Sequence, residues 1–293
     1  MNKKIPVYLL LVFSMLIWGI SYIFLEVLYE YFTPLTVASL RVIIACIFML
    51  SLSLIFKKLQ KVDKKDLLLI ILFAFFDPFL YFLCESYGLL HTNPVTASVI
   101  IATIPLFTPM AAIIFTNEKL RLLNYIGIVV SFIGVILVII KPDFTLAVKL
   151  TGVLLLFGAV FCAVSYNFFM KTLTNKYNVY TIITVQNIFS SVFFLPLLIF
   201  YDGKKILSVN YSLDIVAILL ILAVFASALA FIFYANAIRV IGITKTNVFT
   251  NMIPVFTAVF AYLILKETVS FVQLSGILMV VTGLFLSQKA KKP

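Results

Sequence analysis

The segment from Phe75 to Gly88 reads FFDPFLYFLCESYG and carries two carboxylates among apolar and aromatic residues. Asp77 stands directly before Pro78, and Glu85 follows two helical turns later. Aspartate before proline is typical of a helix N-terminus, because the carboxylate accepts free backbone N–H groups and proline needs no donor there. We therefore predict that a helix breaks or kinks at this point, with Pro78 as a hinge.

Three roles fit Asp77. A carboxylate in low-dielectric surroundings can carry a proton, it can bind a cationic amine, or it can serve only to cap and fix the kink. Asp77, Tyr81 and Glu85 are spaced by four residues and therefore share one helix face, which we predict to be a wall of a substrate cavity. Asp77 and Glu85 are the candidates for proton coupling.

Arg41 lies inside an apolar run and needs a partner. A charge that faces lipid costs at least about 2.5–3.5 kcal/mol at the bilayer centre. Glu85 and Glu26 fall at a similar depth in their own apolar runs. We predict that Arg41 forms a structural or gating pair with Glu85 or with Glu26; the alternative is an anchor for a substrate carboxylate.

Aromatic and amide side chains supply further candidates for the cavity. Trp18, the single tryptophan, falls near the middle of its apolar run, away from the interfaces where tryptophan usually gathers. It offers a stacking surface for an aromatic or cationic group, and Tyr22 lies one turn further along the same face. In the second half, Asn187 and Asn251 are predicted cavity residues; hydrogen bonding between helices is the alternative.

These residues belong to a chain that is too apolar for a water-facing surface. Its 293 residues are 64% hydrophobic and 11% charged, whereas a soluble domain is about half apolar and about a quarter charged. Runs of about 20 apolar residues can cross the hydrocarbon core of a bilayer as helices. We predict an all-α polytopic membrane protein with ten transmembrane helices, at residues 7–27, 36–56, 67–87, 94–116, 121–140, 150–170, 180–200, 213–236, 246–265 and 270–287.

The basic residues predict the orientation of these spans. Of the 22 Lys and Arg, 16 fall on the side that holds both termini, five fall on the other side, and Arg41 lies within span two. Positive charge marks the cytoplasmic side, so both termini are predicted to be cytoplasmic. The net charge of +11 thus reflects loops beside a membrane rather than a nucleic-acid surface. Abundant Lys, Ile, Phe and Asn suggest a bacterium, and hence its inner membrane.

The second half of the chain repeats the first at an offset of 149 residues. PLFT at 105–108 recurs as PVFT at 254–257. Further matches at this offset are Glu118 with Glu267, Gly127 with Gly276, and Gly134 with Gly283. Five spans in each half would turn the second copy upside down, an architecture of alternating-access transporters with a midplane substrate site. We predict inverted five-helix repeats at 1–142 and 143–293 around a central cavity, with Pro105 and Pro254 as equivalent hinges.

These motifs, together with Trp18–Gly19 in span one and Arg41 in span two, resemble the EamA family of the drug/metabolite transporter superfamily. The resemblance covers essentially the whole chain. It implies that spans from both halves surround a cavity while spans five and ten lie to the side. It also implies transport of small metabolites, most often export of amino acids. The second repeat departs from the pattern, because FCAVSYN at 161–167 replaces the Trp-Gly pair.

We therefore expect a secondary transporter that moves amino acids or related amphiphilic metabolites outward across the bacterial inner membrane by alternating access. Its expected partners are a small-molecule substrate, the lipid bilayer and, as a candidate, protons; the oligomeric state stays open. One alternative is import of a cationic or nucleoside-like solute. The other is an intramembrane enzyme on lipid-linked substrates. The sequence contains none of the nucleotide-binding, metal-hydrolase or nucleophile motifs, so we expect no catalytic residue, cofactor or metal.

Overall fold

A computed structural model describes residues 5–116, 122–140, 148–208, 211–267 and 270–289. Across these residues the chain is a succession of helices joined by short turns. The helices are α1 (Ile5–Tyr29), α2 (Pro34–Ile55), α3 (Lys64–Leu90), α4 (Pro94–Ile101), α5 (Ile104–Thr116), α6 (Leu122–Ile139), α7 (Leu150–Thr174), α8 (Val179–Asp202), α9 (Leu213–Ile241), α10 (Ile243–Leu265) and α11 (Phe271–Lys289). A short helix, Gly203–Ser208, follows α8.

Eight of these helices have the length and apolar composition to cross a membrane, namely α1, α2, α3, α6, α7, α8, α9 and α10. Two shorter apolar stretches occupy the places of the predicted fourth and tenth spans. Pro94–Thr108 comprises α4 and the start of α5, and Phe271–Gly283 lies within α11. The chain is therefore a polytopic α-helical membrane protein, as the composition predicted. Some residues that entered the predictions lie outside the described residues, namely Glu118, Arg121, Lys3, Lys4, Lys291 and Lys292.

Short polar residues define where the helices begin. The Asn93 side chain accepts a hydrogen bond from the Thr96 amide at 2.8 Å, and Asn178 does the same for Thr181 at 2.8 Å. Thr33 caps α2 in the same way. Proline occupies the first position of α2 and of α4, where no N–H is needed. These caps keep the loops short and hold successive helices side by side.

Several spans are irregular at mid-depth. Residues Phe75–Leu80 form a π-helical turn, wider than an α-helical one, which we call the wide turn of α3. The backbone of Asp77 within it is extended, with φ −149° and ψ 123°, so the predicted break in span three is present. A second wide turn, Leu222–Leu229, interrupts α9 at the corresponding place in the second half. Pro105 lies at the second position of α5, directly after the α4–α5 interruption. Pro254 follows a tight turn within α10 in the same manner.

Helices α2 and α8 pack antiparallel, and a polar contact closes each end of the pair. At one end, Thr33 and Thr36 donate hydrogen bonds to the Asp202 carboxylate, the latter at 3.0 Å. We call this set the Asp202 clasp. It joins the first turn of α2 to the last residue of α8, and therefore joins the two halves of the chain.

At the opposite end, the segment after α2 binds the first turn of α8. Thr181 Oγ1 donates to the carbonyl of Lys58 at 3.2 Å and accepts from the Gln60 amide at 2.9 Å. Asn178 Nδ2 also donates to the carbonyl of Lys58, at 2.7 Å. We call this set the Lys58 clasp. Thr36 and Thr181 are the third residues of their helices, so the two clasps use equivalent positions.

An ion pair lies beside the Lys58 clasp. Lys176 Nζ is 2.6 Å from Asp66 Oδ1, and the Tyr177 hydroxyl donates to Asp66 Oδ2 at 2.7 Å. The hydrogen bond to the carboxylate raises the pKa of Lys176. The Lys176 side chain is about half exposed, at 51%, so this pair is a surface contact that contributes little to stability.

The Trp18–Gly19 pair and the PVFT segment at 254–257 meet where α1 packs against α10. A methyl group on Gly19 would lie 2.6 Å from Phe256 Cβ, and Thr257 Oγ1 donates to the Gly19 carbonyl at 3.1 Å. Glycine is therefore required beside Trp18, because any side chain would separate the helices. The Trp-Gly pair and the PVFT segment thus form one helix–helix contact between the two halves.

Helices α6 and α11 pack against each other through their glycines. A Cβ on Gly134 would lie 2.6 Å from the Gly276 carbonyl oxygen, and a Cβ on Gly283 would lie 2.6 Å from the Gly127 carbonyl oxygen. Adding 149 to Gly134 gives Gly283, and subtracting 149 from Gly276 gives Gly127. The second contact is therefore the first one with the two halves interchanged. Ser131 Oγ donates to the carbonyl of Val280 at 3.2 Å. Residues 131 and 280 also differ by 149, so equivalent residues of the two halves touch directly.

We predict that Gly134→Ala destabilises the protein, because its new methyl group meets the backbone of the facing helix. Overpacking of this kind costs about 1–3 kcal/mol. The matched control is Gly158→Ala, whose Cβ would meet only the Cys84 Sγ at 3.4 Å. Thermal unfolding of the purified variants in detergent measures the difference. Equal unfolding temperatures for the two variants would contradict the close packing of α6 on α11.

Candidate functional site

A cavity lies between α1, α2, α3, α4 and the start of α5 in the first half and α7, α9 and α10 in the second. Its volume, including the open end, is about 590 Å³. Aromatic and aliphatic side chains form most of the wall, and a few polar groups project into it. The lining residues are Trp18, Ser21, Tyr22, Arg41, Asp77, Tyr81, Phe82, Glu85, Ile101, Ile104, Ala163, Tyr166, Asn167, Phe231, Tyr234, Thr250 and Ile253.

Glu85 is the centre of a buried polar cluster in the first half. Its Oε1 accepts hydrogen bonds from the hydroxyls of Tyr22 and Tyr81, both at 2.9 Å. Its Oε2 is 3.8 Å from Arg41 Nη1. Arg41 and Glu85 are only 2% and 6% exposed, so both charges are removed from bulk solvent. Of the two acidic partners predicted for Arg41, the structure pairs it with Glu85 and not with Glu26.

Arg41 makes two further contacts that fix its guanidinium. Its Nε donates to Ser227 Oγ at 3.2 Å, across to the wide turn of α9. Its Cζ lies 4.2 Å from the centre of the Phe82 ring, which is a cation–π geometry. Nη1 has no hydrogen-bond partner among the described residues. The guanidinium of Arg41 is therefore held by an ion pair with Glu85, a hydrogen bond to Ser227 and the Phe82 ring.

Asp77 lies at the break in α3 and differs from Glu85 in its surroundings. It is 4% exposed and lines the cavity, yet its Oδ1 has no hydrogen-bond partner within the described ranges. Its backbone carbonyl is satisfied instead, because Gln186 Nε2 donates to it at 3.1 Å. A buried carboxylate without a donor is costly unless it carries a proton or meets a cation. Asp77 is therefore a cavity group that a proton or a bound cation would stabilise.

Aromatic rings form the opposite wall. Trp18 Nε1 donates to the carbonyl of Ala226 at 3.0 Å, in the wide turn of α9. The Trp18 ring is edge-on to Phe231 at 5.3 Å and to Tyr234 at 5.2 Å. Tyr166 is edge-on to Phe231 at 5.9 Å. This wall presents ring faces and edges, which suit an apolar body or an organic cation.

A chain of amides and hydroxyls closes the second-half side of the cavity. The Tyr234 hydroxyl lies 3.1 Å from Asn167 Oδ1 and is also hydrogen-bonded to Asn247 Oδ1. Asn247 Nδ2 donates to Thr108 Oγ1 at 3.1 Å. These groups come from four different helices and are uncharged. The cavity is thus electrically unequal, with charges from the first half and neutral polar groups from the second.

The structure brings six of the predicted site residues together in the wall of one cavity, namely Trp18, Tyr22, Arg41, Asp77, Tyr81 and Glu85. Asn187 and Asn251 are a correction, since neither lines it. Asn187 Nδ2 donates to the carbonyl of Ile183 one turn earlier in its own helix, at 2.8 Å. Asn251 ends a tight turn in which the preceding residue, Thr250, faces the cavity instead.

Sequence reasoning did not assign Tyr166, Asn167 and Tyr234 to the cavity, although all three line it. Tyr166 and Asn167 belong to FCAVSYN, the segment that replaces the Trp-Gly pair in the second repeat. Its position in the repeat was thus a usable signal. Tyr234 had no such signal, because one tyrosine among many apolar residues does not reveal its neighbours. Among the described residues, no group of His, Cys, Asp or Glu is arranged to hold a metal ion.

We predict that the Arg41–Glu85 pair stabilises the fold as a unit. Arg41→Met alone should lower the free energy of unfolding by roughly 3 kcal/mol, because it leaves a buried carboxylate without its cation. Adding Glu85→Gln should recover part of that loss. The control, Lys176→Met, breaks the exposed pair with Asp66 and should cost about 0–1 kcal/mol. Denaturant unfolding in detergent measures the wild type, Arg41→Met, Glu85→Gln, the double variant and Lys176→Met, and strictly additive losses in the double variant would refute the coupling.

Comparison with known proteins identifies the family of this chain. The chain matches the EamA-like transporter family twice, over residues 5–140 and 150–288. A Bacillus subtilis (strain 168) protein named uncharacterized transporter YetK is 26% identical, over 99% of this chain and 89% of its own length. A Methanothermobacter thermautotrophicus protein, also named an uncharacterized transporter, is 28% identical, over 95% of this chain and 85% of its own.

A solved crystal structure has the same fold, with a TM-score of 0.70 at 13% sequence identity, over 96% of this chain and 98% of the other. The family match covers nearly all of the chain, and its two copies meet at the cavity. The relatives carry the name of transporters, which favours transport over catalysis. The chain belongs to the EamA-like transporter family, and it contains two copies of the family's unit.

Proposed function

We propose that this protein is a secondary transporter of small amphiphilic metabolites that carry an amino group, with amino acids and their relatives as the first compounds to test. The observation that carries the proposal is Asp77, a buried carboxylate whose Oδ1 lacks a partner, in an aromatic cavity between the two halves. Aromatic walls suit an apolar body, and a carboxylate suits an ammonium group. No catalytic step is proposed.

The proposed architecture has ten spans in two inverted repeats, with Pro94–Thr108 and Phe271–Gly283 crossing the membrane as well. Its support is a set of contacts that exchange between the halves. The glycine contacts of α6 with α11 exchange at the offset of 149, and equivalent residues 131 and 280 touch. Arg41 and Gln186 are each the eighth residue of their helix, α2 and α8, and each bonds the wide turn of the other half. A two-fold axis in the membrane plane accounts for all of these.

Alternating access follows from the two clasps. The Asp202 clasp and the Lys58 clasp lie at opposite ends of α2, about 30 Å apart for a helix of this length. The hydrogen bonds of both clasps are formed in this structure. Each clasp joins the two halves, so opening one clasp while the other holds would expose the cavity to one side only. Pro78, Pro105 and Pro254, which follow breaks in their helices, are proposed as the hinges.

The proposed orientation places both termini and the Lys58 clasp on the cytoplasmic side of a bacterial inner membrane, because most Lys and Arg fall there. Export is the proposed direction. Asp77 is the proposed coupling residue, since one carboxylate can hold either a proton or the ammonium of the cargo but not both. Glu85 is the second candidate, and its contacts with two tyrosine hydroxyls and Arg41 favour a structural role.

We predict that Asp77→Asn abolishes transport driven by a pH gradient in proteoliposomes. The loss of a charged hydrogen bond of about 1.5–3 kcal/mol should weaken cargo binding about 10- to 100-fold. The control is Glu30→Gln, which alters an exposed carboxylate just after α1. Uptake of labelled amino acids and amines, with and without the gradient, is the measurement. Intact gradient-driven uptake by a folded Asp77→Asn protein would refute coupling through this residue.

We also predict that the clasps control opposite sides of the cavity. Thr36→Val weakens the Asp202 clasp, and Thr181→Val weakens the Lys58 clasp by the same loss of a hydroxyl. Each is combined with Ala163→Cys, a reporter in the cavity wall, after Cys46, Cys84 and Cys162 are replaced by serine.

A membrane-impermeant thiol reagent should then label the reporter faster from the side of the weakened clasp and no faster from the other. The absolute side identifies which clasp is cytoplasmic. The result against the proposal is the same change of labelling, on the same side, in both threonine variants.

A further inference from the structure

We infer that the cavity selects its cargo by net charge: it takes an amine of single positive charge with an aromatic or apolar body, in preference to a zwitterion of the same shape. The ammonium group lies against the Asp77 carboxylate in this assignment. The inference rests on the proposed function and narrows it, since both amino acids and simple amines carry an amino group. Three properties of the described cavity support it.

The first property is charge balance. Among the described residues that line the cavity, three carry formal charge: Arg41, Glu85 and Asp77. Arg41 and Glu85 neutralise each other across 3.8 Å, which leaves one carboxylate uncompensated. In a low-dielectric cavity a net charge is costly. Once Asp77 has released its proton, a cargo of charge +1 makes the filled cavity neutral, whereas a zwitterion leaves the excess negative charge of the carboxylate in place.

The second property is the commitment of Arg41. A substrate carboxylate needs a cation, and this guanidinium already contacts Glu85, Ser227 and the Phe82 ring. A second carboxylate at Arg41 would also lie close to Glu85, and like charges repel. Nη1 lies 3.8 Å from Glu85 Oε2 and makes no hydrogen bond among the described residues. A zwitterion would have to place its carboxylate beside a guanidinium that already faces Glu85, so a comparison of amine with amino acid tests this point directly.

The third property is the way Asp77 is presented. The extended backbone at the helix break holds this residue in the cavity wall, and Gln186 binds its main-chain carbonyl and not its carboxylate. The Tyr166 hydroxyl, another group in the cavity wall, also lacks a partner within the described ranges. An ammonium group has three donors to distribute over such acceptors. The rings of Trp18 and Tyr234 add cation–π attraction and cover the apolar body.

Three probes with one phenyl group and different charges test the inference in proteoliposomes: phenethylamine (+1), L-phenylalanine (zwitterion) and 3-phenylpropionate (−1). We expect uptake of labelled phenethylamine to be at least about tenfold more efficient than uptake of L-phenylalanine, with no uptake of 3-phenylpropionate. In uptake measured without a pH gradient, where coupling to protons is not required, Asp77→Asn should abolish the preference for the amine. Glu30→Gln, the exposed acid-to-amide control, should leave it unchanged. Folding of each variant is checked by thermal unfolding, and Asp77→Glu, which keeps the charge, should retain part of the preference.

The outcomes separate the inference from the proposed function. If L-phenylalanine is transported as well as phenethylamine or better, selection by net charge is overturned while transport of amino compounds stands. If Asp77→Asn keeps the preference for the amine, the assignment of the ammonium to Asp77 is overturned. If a folded protein transports none of the three probes, the proposed cargo class fails, and the inference fails with it.

Discussion

The structure depends on one constraint: backbone and charged groups that are not satisfied within a helix must find donors or acceptors inside the protein, because lipid offers none. The wide turns of α3 and α9 create such groups, and the other half of the chain satisfies them. Gln186 donates to the carbonyl of Asp77 and Ser190 to that of Ala74, whereas Trp18 donates to the carbonyl of Ala226. Each half therefore holds the irregular turn of the other, and the cavity lies between the two turns.

The same reciprocity explains why the cavity has unequal walls. Arg41 and Gln186 are each the eighth residue of their helix, and each donates a hydrogen bond to the wide turn of the other half, yet one is charged and the other is an amide. The charge at Arg41 requires Glu85, and Glu85 in turn binds two tyrosine hydroxyls. Gln186 is uncharged and forms no ion pair. Asp77 is left as the carboxylate that this network does not use, which is why the proposed cargo site centres on it.

The helices that surround the cavity also explain which contacts are rigid and which are exchangeable. Glycine contacts between α6 and α11, and between α1 and α10, bring backbones together and leave no room for adjustment. The clasps at the ends of α2 and α8 consist of hydrogen bonds at the helix ends, which water can replace. The proposed movement of one half against the other would therefore break the clasps and keep the glycine contacts.

The sequence alone was enough to predict a polytopic helical membrane protein, its family and the helix break at Asp77, because hydrophobic run length and helix-breaking residues are local properties. It also pointed to a set of residues that the structure places in the wall of one cavity, namely Trp18, Tyr22, Arg41, Tyr81 and Glu85. Only the tertiary structure decided that Arg41 pairs with Glu85, that Asn187 bonds within its own helix, and that Tyr234 lines the cavity. The reason is physical. The spacing along one helix fixes a face, but the rotation and depth of the neighbouring helix determine which side chains share a cavity.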